Sequence, residues 1–218
     1  MTQHNRSARQ MTTRQLPCAR RPVMGVLLLA TLALMLSSCG TPNQRYLLQL
    51  APPECADGGH TLEDPVLMLD DFTTLPGMDR TAVFIAQDNV IQPSTVWYWE
   101  GNPAEIMTQA VSDRLECAGP YRVSWPYFGE LEHAAVLRGR VREFQLVNTS
   151  LPEFRIRLSV ELWGPRHTRM LAINTFTASE PVDAITPQAT ASAASKAVSK
   201  ATLAISEWLD ANRGLVTP

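Results

Sequence analysis

Three histidines lie beyond the first forty residues, His60, His133 and His167, and a general base or a metal ligand would be sought among them first. Each falls in loop-like sequence with no acid or nucleophile at motif spacing, so each reads as a surface histidine. Asp70-Asp71 offers a carboxylate pair, yet adjacent strand residues point to opposite faces, and a strand end meeting solvent accounts for both. The chain contains no G-x-S-x-G, no phosphate-cradling G-x-x-x-x-G-K-[ST] and no H-E-x-x-H. No catalytic or metal-binding set emerges. The expectation is a protein that is not an enzyme and holds neither cofactor nor metal.

The chemistry at Cys39 is of another kind. It closes Leu36-Ser37-Ser38-Cys39, behind the apolar run Val23–Leu36, which Arg6, Arg9, Arg14, Arg20 and Arg21 precede without an acid. The run is shorter than the roughly 20 residues a membrane-crossing helix needs, and it suits the apolar core of a secretory signal. The pattern resembles the lipobox of bacterial lipoproteins. That resemblance implies removal of residues 1–38, a diacylglycerol on the Cys39 thiol and an acyl chain on its new amino group. Two or more chains anchor stably where one does not. A plain signal peptide with an incidental cysteine, or a short transmembrane anchor, is the competing reading. Gly40, standing where an Asp would favour the inner membrane, leans the expectation toward the periplasmic face of the outer membrane.

Charge narrows the partners. The chain has 19 basic and 21 acidic residues, and residues 1–38 take five of the former and none of the latter, leaving 14 against 21 and a formal charge of −7. Phosphate binding needs a basic surface, so nucleic acid is not an expected partner. Roughly 180 remaining residues suit one compact domain. Cys18 leaves with the signal and Cys39 is committed to lipid, so Cys55 and Cys117 remain. An oxidising periplasm would join them, and closing a loop of about 60 residues adds roughly 4 kcal/mol in the chain-entropy model. Two buried free thiols are the alternative.

The elements that must position these residues follow from local patterns. After a polar tether over residues 39–45, Tyr46–Leu50, Val66–Phe72, Thr81–Ala86 and a segment reaching Trp99 read as strands, with tight turns at Leu75-Pro76-Gly77 and Asp88-Asn89. Asn102 is a good helix cap, with Pro103 and Glu105 at the matching positions, and Ile106, Met107, Ala110, Val111 and Leu115 form its apolar stripe. Residues 121–125, 135–147, 153–163 and 170–179 read as further strands. Phe154, Ile156, Leu158, Val160 and Leu162 alternate with polar residues at a strict period of two. A last helix runs from Pro187, capped by Thr186, to about Asn212, with the stripe Ala194, Val198, Ala201, Ile205, Trp208 and Leu209. The fold class is therefore α/β (α+β), a single domain over 46–213 in which two helices pack on a mixed, largely antiparallel sheet, followed by a tail at 214–218.

Two features could serve a partner. Trp97-Tyr98-Trp99 places three large rings in one strand, so at least one ring is expected at the surface. The alternative is that Trp97 and Trp99 pack inward and Tyr98 stays half exposed. Arg138, Arg140 and Arg142, with Arg155 and Arg157 on the next strand, form a basic stripe. A hairpin pairing 147 with 152 would set Arg142 opposite Arg157, a like-charge pair that favours an acidic partner. A solvated face neutralised by Glu143, Glu153 and Glu161 is the alternative.

Together the lipobox, the Tyr46-Leu47-Leu48 strand, the buried strand ending near Asp71-Phe72, Met78-Asp79-Arg80-Thr81-Ala82-Val83-Phe84, Trp99-Glu100-Gly101-Asn102-Pro103 and Ile205-Ser206-Glu207-Trp208-Leu209 resemble the ABC-type transport auxiliary lipoprotein family. The likeness spans roughly residues 40–212. Where the family pattern has an Arg-Trp pair before the helix, this chain has Tyr98-Trp99. The resemblance implies an α/β fold, assembly into a homo-oligomeric ring, and a non-enzymatic role in envelope-spanning lipid transport. Its implied partners are an MCE-domain periplasmic protein and the ABC or integral-membrane companions of that protein. The alternative is a free-standing structural, lipid-binding or chaperone lipoprotein.

Overall fold

The computed structural model describes residues 44–52, 60–61, 63–118, 121–126 and 132–216. Cys39, the tether before residue 44 and Cys55 lie outside the described residues.

The two helices form where local signals place them. Helix α1 (Pro103–Ala118) begins on Asn102, whose Oδ1 accepts from the N–H groups of Ala104 (2.9 Å) and Glu105 (3.0 Å). Glu105 Oε2 accepts in turn from the Asn102 N–H at 2.8 Å, completing a capping box that satisfies the first turn. Helix α2 (Pro187–Ala211) starts on Thr186, whose Oγ1 accepts from the Ala189 N–H at 3.3 Å. Ala194, Val198, Ala201, Ile205 and Leu209 form its buried stripe, and the small alanines let the helix lie close to what it covers. Trp208 is partly buried, its ring edge-on to Phe176 at 5.8 Å between centroids.

Among the described residues nine strands make one mixed sheet: β1 (Tyr46–Leu48), β2 (Val66–Leu69), β3 (Thr73–Thr74), β4 (Ala82–Gln87), β5 (Val90–Trp99), β6 (Arg122–Ser124), β7 (Ala135–Val147), β8 (Glu153–Trp163) and β9 (Met170–Pro181). Strand β7 is the spine. Along one edge it takes β2, β3 and β4 in turn, all parallel, through the pairs Leu67↔Ala135, Thr73↔Arg140 and Phe84↔Gln145. Along the other edge it runs antiparallel to β8, which runs antiparallel to β9. Strand β6 extends the sheet beside β2, while β5 and then β1 extend it beside β4. The long ladders are antiparallel, as expected, but five short ladders are parallel. Among the described residues, β9 pairs with no strand but β8.

The apolar pattern of β7 changes phase midway. Leu137, Gly139 and Val141 share one face, yet the next core residues are Phe144 and Leu146, a spacing of three that a regular strand cannot bury. The structure resolves this with a register shift between Val141 and Glu143, which makes Arg142 the extra residue of a bulge. Phe144 then meets Trp99 and Phe154 edge to face, with centroid distances of 5.5 Å, 5.6 Å and 5.1 Å around the triangle. This cluster ties β5, β7 and β8 together.

Gly139 sits opposite the segment after β2, and a Cβ there would overlap Cδ2 and Cε2 of the buried Phe72 ring. Phe72 cannot easily yield, since its N–H donates to Thr108 Oγ1 on α1 at 2.9 Å. Gly139→Ala is expected to destabilise the protein by about 1–3 kcal/mol, seen as a lower denaturant midpoint at unchanged slope. An unchanged midpoint would show that this close approach carries no strain.

Tyr121 generates the opposite expectation. Its hydroxyl is buried without a hydrogen-bond partner among the described residues, and burial pushes the phenol above its ordinary value. The folded state therefore holds the phenol proton more tightly than the unfolded state does. Stability contributed this way is complete below the ordinary phenol value of about 10 and is lost as pH rises through the folded value. Tyr121→Phe should leave stability at pH 7 unchanged or raise it by up to about 1 kcal/mol. It should also flatten the alkaline loss, as read from unfolding curves between pH 8 and pH 11.

Candidate functional site

The three consecutive aromatics do not present three rings. Trp99 is 1% exposed, held in the aromatic triangle, so its expected contact with a partner is corrected: the ring is core. Trp97 is partly buried against that core. Tyr98 is half-buried as well, its hydroxyl donating to the Thr95 carbonyl at 2.9 Å and the Arg45 guanidinium lying 5.8 Å from its ring centre. Only Trp99 is fully inward, and Trp97 and Tyr98 share an intermediate exposure.

The arginine stripe is also rearranged. The turn holds one residue more than expected and leaves Val147 opposite Glu153, so Arg157 faces Glu143 (3.6 Å) and not Arg142, which falls at the bulge. No like-charge pair forms there. Arg142 donates from Nε to Ser159 Oγ at 2.8 Å, Arg138 meets Asp70 at 3.2 Å, and Arg155 is paired with Glu153. Arg140 lies opposite Ser159 on β8 and makes no ion pair among the described residues. The outer face of β7 and β8 is thus largely a solvated mixed-charge face, and such exposed pairs contribute little to stability.

The most developed concavity lies elsewhere. A groove of about 1080 Å³ opens between residues 49–52, the segment around β3 and the first turns of α1. Leu50, Phe72, Ile106, Ala110 and Val198 give it an apolar floor. Its carboxylates are Asp71, Asp79, Glu100, Glu105 and Asp113, and among the described residues no lysine or arginine lines it. None of the five forms an ion pair among the described residues. Negative charge above a floor of low dielectric concentrates the local field.

The walls of this groove are tied down. Ala51 N–H donates to Ser195 Oγ on α2 at 3.0 Å, and Leu50 N–H reaches Glu100 Oε1 at 3.4 Å, fixing the extended segment after β1. Trp125 Nε1 donates to Asp71 Oδ1 at 2.9 Å. Asp70, its neighbour, points the other way to Arg138 and to His167 Nε2 (3.1 Å), the divergence expected of adjacent residues. The groove escaped the sequence reading because its walls come from distant segments. Only Glu105, Gln109 and Asp113, spaced four apart along α1, could have signalled one polar face of that helix.

The histidines occupy separate places. His60 Nε2 lies 3.0 Å from the Leu115 carbonyl, and His133 Nε2 accepts from the Arg166 N–H at 3.3 Å. Among the described residues no group of three His, Cys, Asp or Glu could hold a metal ion, and no helix is long and apolar enough to cross a membrane. Cys117, near the end of α1, is disulfide-bonded. Its expected partner Cys55 lies outside the described residues, so the pairing itself stays a proposal.

The corrected positions of the aromatics separate two substitutions. Trp99→Ala should destabilise by about 3–5 kcal/mol through the cavity it leaves, whereas Tyr98→Ala should cost no more than about 1 kcal/mol. Thermal unfolding of the two variants checks this, and similar midpoints would refute the assignment of Trp99 to the core.

No family model matches the chain, and no curated protein matches it. Among solved structures it is similar to a Xanthomonas campestris protein of the family model DUF330, with a TM-score of 0.64 and 18% identity over 78% of this chain and 97% of that chain. A second crystal structure, of an uncharacterised protein, aligns at a TM-score of 0.61 and 9% identity over 76% of this chain and 99% of that one. A minor lipoprotein from Acinetobacter baumannii covers 70% of this chain and 97% of its own length at 16% identity, but its TM-score of 0.39 carries no argument. At these identities the likeness is one of fold: the chain shares the α/β architecture of the DUF330 protein along nearly all of that protein's length.

Proposed function

We propose that this protein is a non-enzymatic lipoprotein of an envelope-spanning ABC/MCE-type lipid transport system, anchored at the periplasmic face of the outer membrane, where it docks the bridge protein. The observation that carries the reading is the groove, a fixed, open concavity whose apolar floor and acidic lining would suit a docked partner. Its acid lining opposes phosphate headgroups, which favours docking a protein over carrying a phospholipid in this cleft. The family resemblance supplies the identity of the partner, and the lipobox supplies the anchor. With Cys39 acylated, about ten residues of chain separate the anchor from the groove wall at Gln49, a reach of at most about 35 Å. The groove would then stand close to the membrane surface.

Affinity purification of the full-length lipidated protein from detergent-solubilised envelope, with mild crosslinking and mass spectrometry, tests this. An MCE-domain protein with its ABC or integral-membrane companions is expected, and Cys39→Ala should release the protein from the membrane fraction. Return of the protein alone would make a free-standing structural, lipid-binding or chaperone lipoprotein the better account.

A further inference from the structure

We propose that the groove takes a basic amphipathic helix of a protein partner, with apolar residues on its floor and Lys or Arg side chains on its carboxylates. The inference rests on the docking role proposed above but not on which transport system the protein serves. Charge complementarity selects the occupant. Among the described residues Asp71, Asp79, Glu100, Glu105 and Asp113 line one groove together, no cation lines it, and none of the five is neutralised by an ion pair. An acidic peptide or a phosphate would meet like charge on both sides, while a cationic group would be attracted and steered.

The shape argues for a helix. Glu105 and Asp113 stand on the same side of α1, separated by about 12 Å along its axis. A helix laid beside α1 would bring residues two turns apart opposite them, and its apolar stripe would face Phe72, Ile106 and Val198. Lys and Arg suit the margin, because their aliphatic stems can cover apolar floor while their charged ends reach the carboxylates. The groove needs little rearrangement, since Leu50, Ala51, Phe72 and Asp71 are each already held by a hydrogen bond.

The test uses the full-length lipidated protein in non-ionic detergent, with empty micelles as the blank and two fluorescent peptides of equal length. One peptide carries Leu and Lys at helical spacing, and the other carries Leu and Glu in the same pattern. Binding is read by anisotropy at low and at high salt. The Lys peptide should bind at least about tenfold more tightly, and its affinity should fall as salt rises. The variant Asp79→Asn/Glu100→Gln/Asp113→Asn keeps each acceptor oxygen and should weaken the Lys peptide by about tenfold or more. A control with the same loss of charge outside the groove, Asp88→Asn/Asp183→Asn/Glu207→Gln, should change it by less than about twofold. Equal binding of the Glu peptide would overturn the proposal, as would equal weakening by the control variant. If the Lys peptide binds as expected while no MCE-domain protein co-purifies, the transport reading fails and the groove assignment stands. If the MCE-domain protein co-purifies equally well with the groove variant, the groove assignment fails and the transport reading stands.

Discussion

Strand β7 has to satisfy partners on both edges with a pattern that a regular strand cannot supply. Its first half buries Leu137 and Val141, its second half buries Phe144 and Leu146, and a single extra residue, Arg142, reconciles the two. Without that bulge one half or the other would turn its apolar side chains to water, since a slip of one residue moves every side chain to the opposite face. The neighbouring strands inherit the solution. Strands β2, β3 and β4 read successive stretches of the same edge, and Phe144 reaches Trp99 and Phe154 only because the phase has been reset.

The same strand governs the groove indirectly. The missing side chain at Gly139 leaves room for the Phe72 ring, and the Phe72 backbone is bonded to Thr108 of α1. The segment from Asp71 onward is thereby drawn down beside the helix, where Phe72 becomes floor and Asp71 becomes lining. A larger residue at 139 would push on the ring and, through it, on the groove. Packing inside the sheet and the shape of the outer concavity are two aspects of one contact.

Much of this was legible in the residues, and the reason is locality. Asn102, Pro103 and Glu105 announce α1 because a capping box involves residues within one turn, and Thr186-Pro187 announces α2 in the same way. The alternation of Phe154 through Leu162 identified the wet and dry faces of β8 without reference to any neighbour. Two things were not legible. Arg142 does not pair with Arg157 because the turn after β7 holds one residue more than its sequence suggests, setting Val147 opposite Glu153, and nothing local marks that extra residue. The groove failed because residues 49–52, 71–79, 100–113 and 198 have no local relation, and only the folded sheet makes them neighbours. The parallel pairing of short β2, β3 and β4 was hidden for the same reason.

Helix α2 follows every described strand, yet it packs against β8, β9 and α1. A polypeptide is made from its amino end at a finite pace. The apolar residues from Phe154 to Leu162 therefore exist for a time without the helix that covers them. The helix that covers these strands is made after all of them, so this part of the core can close only once residues 187–211 have emerged.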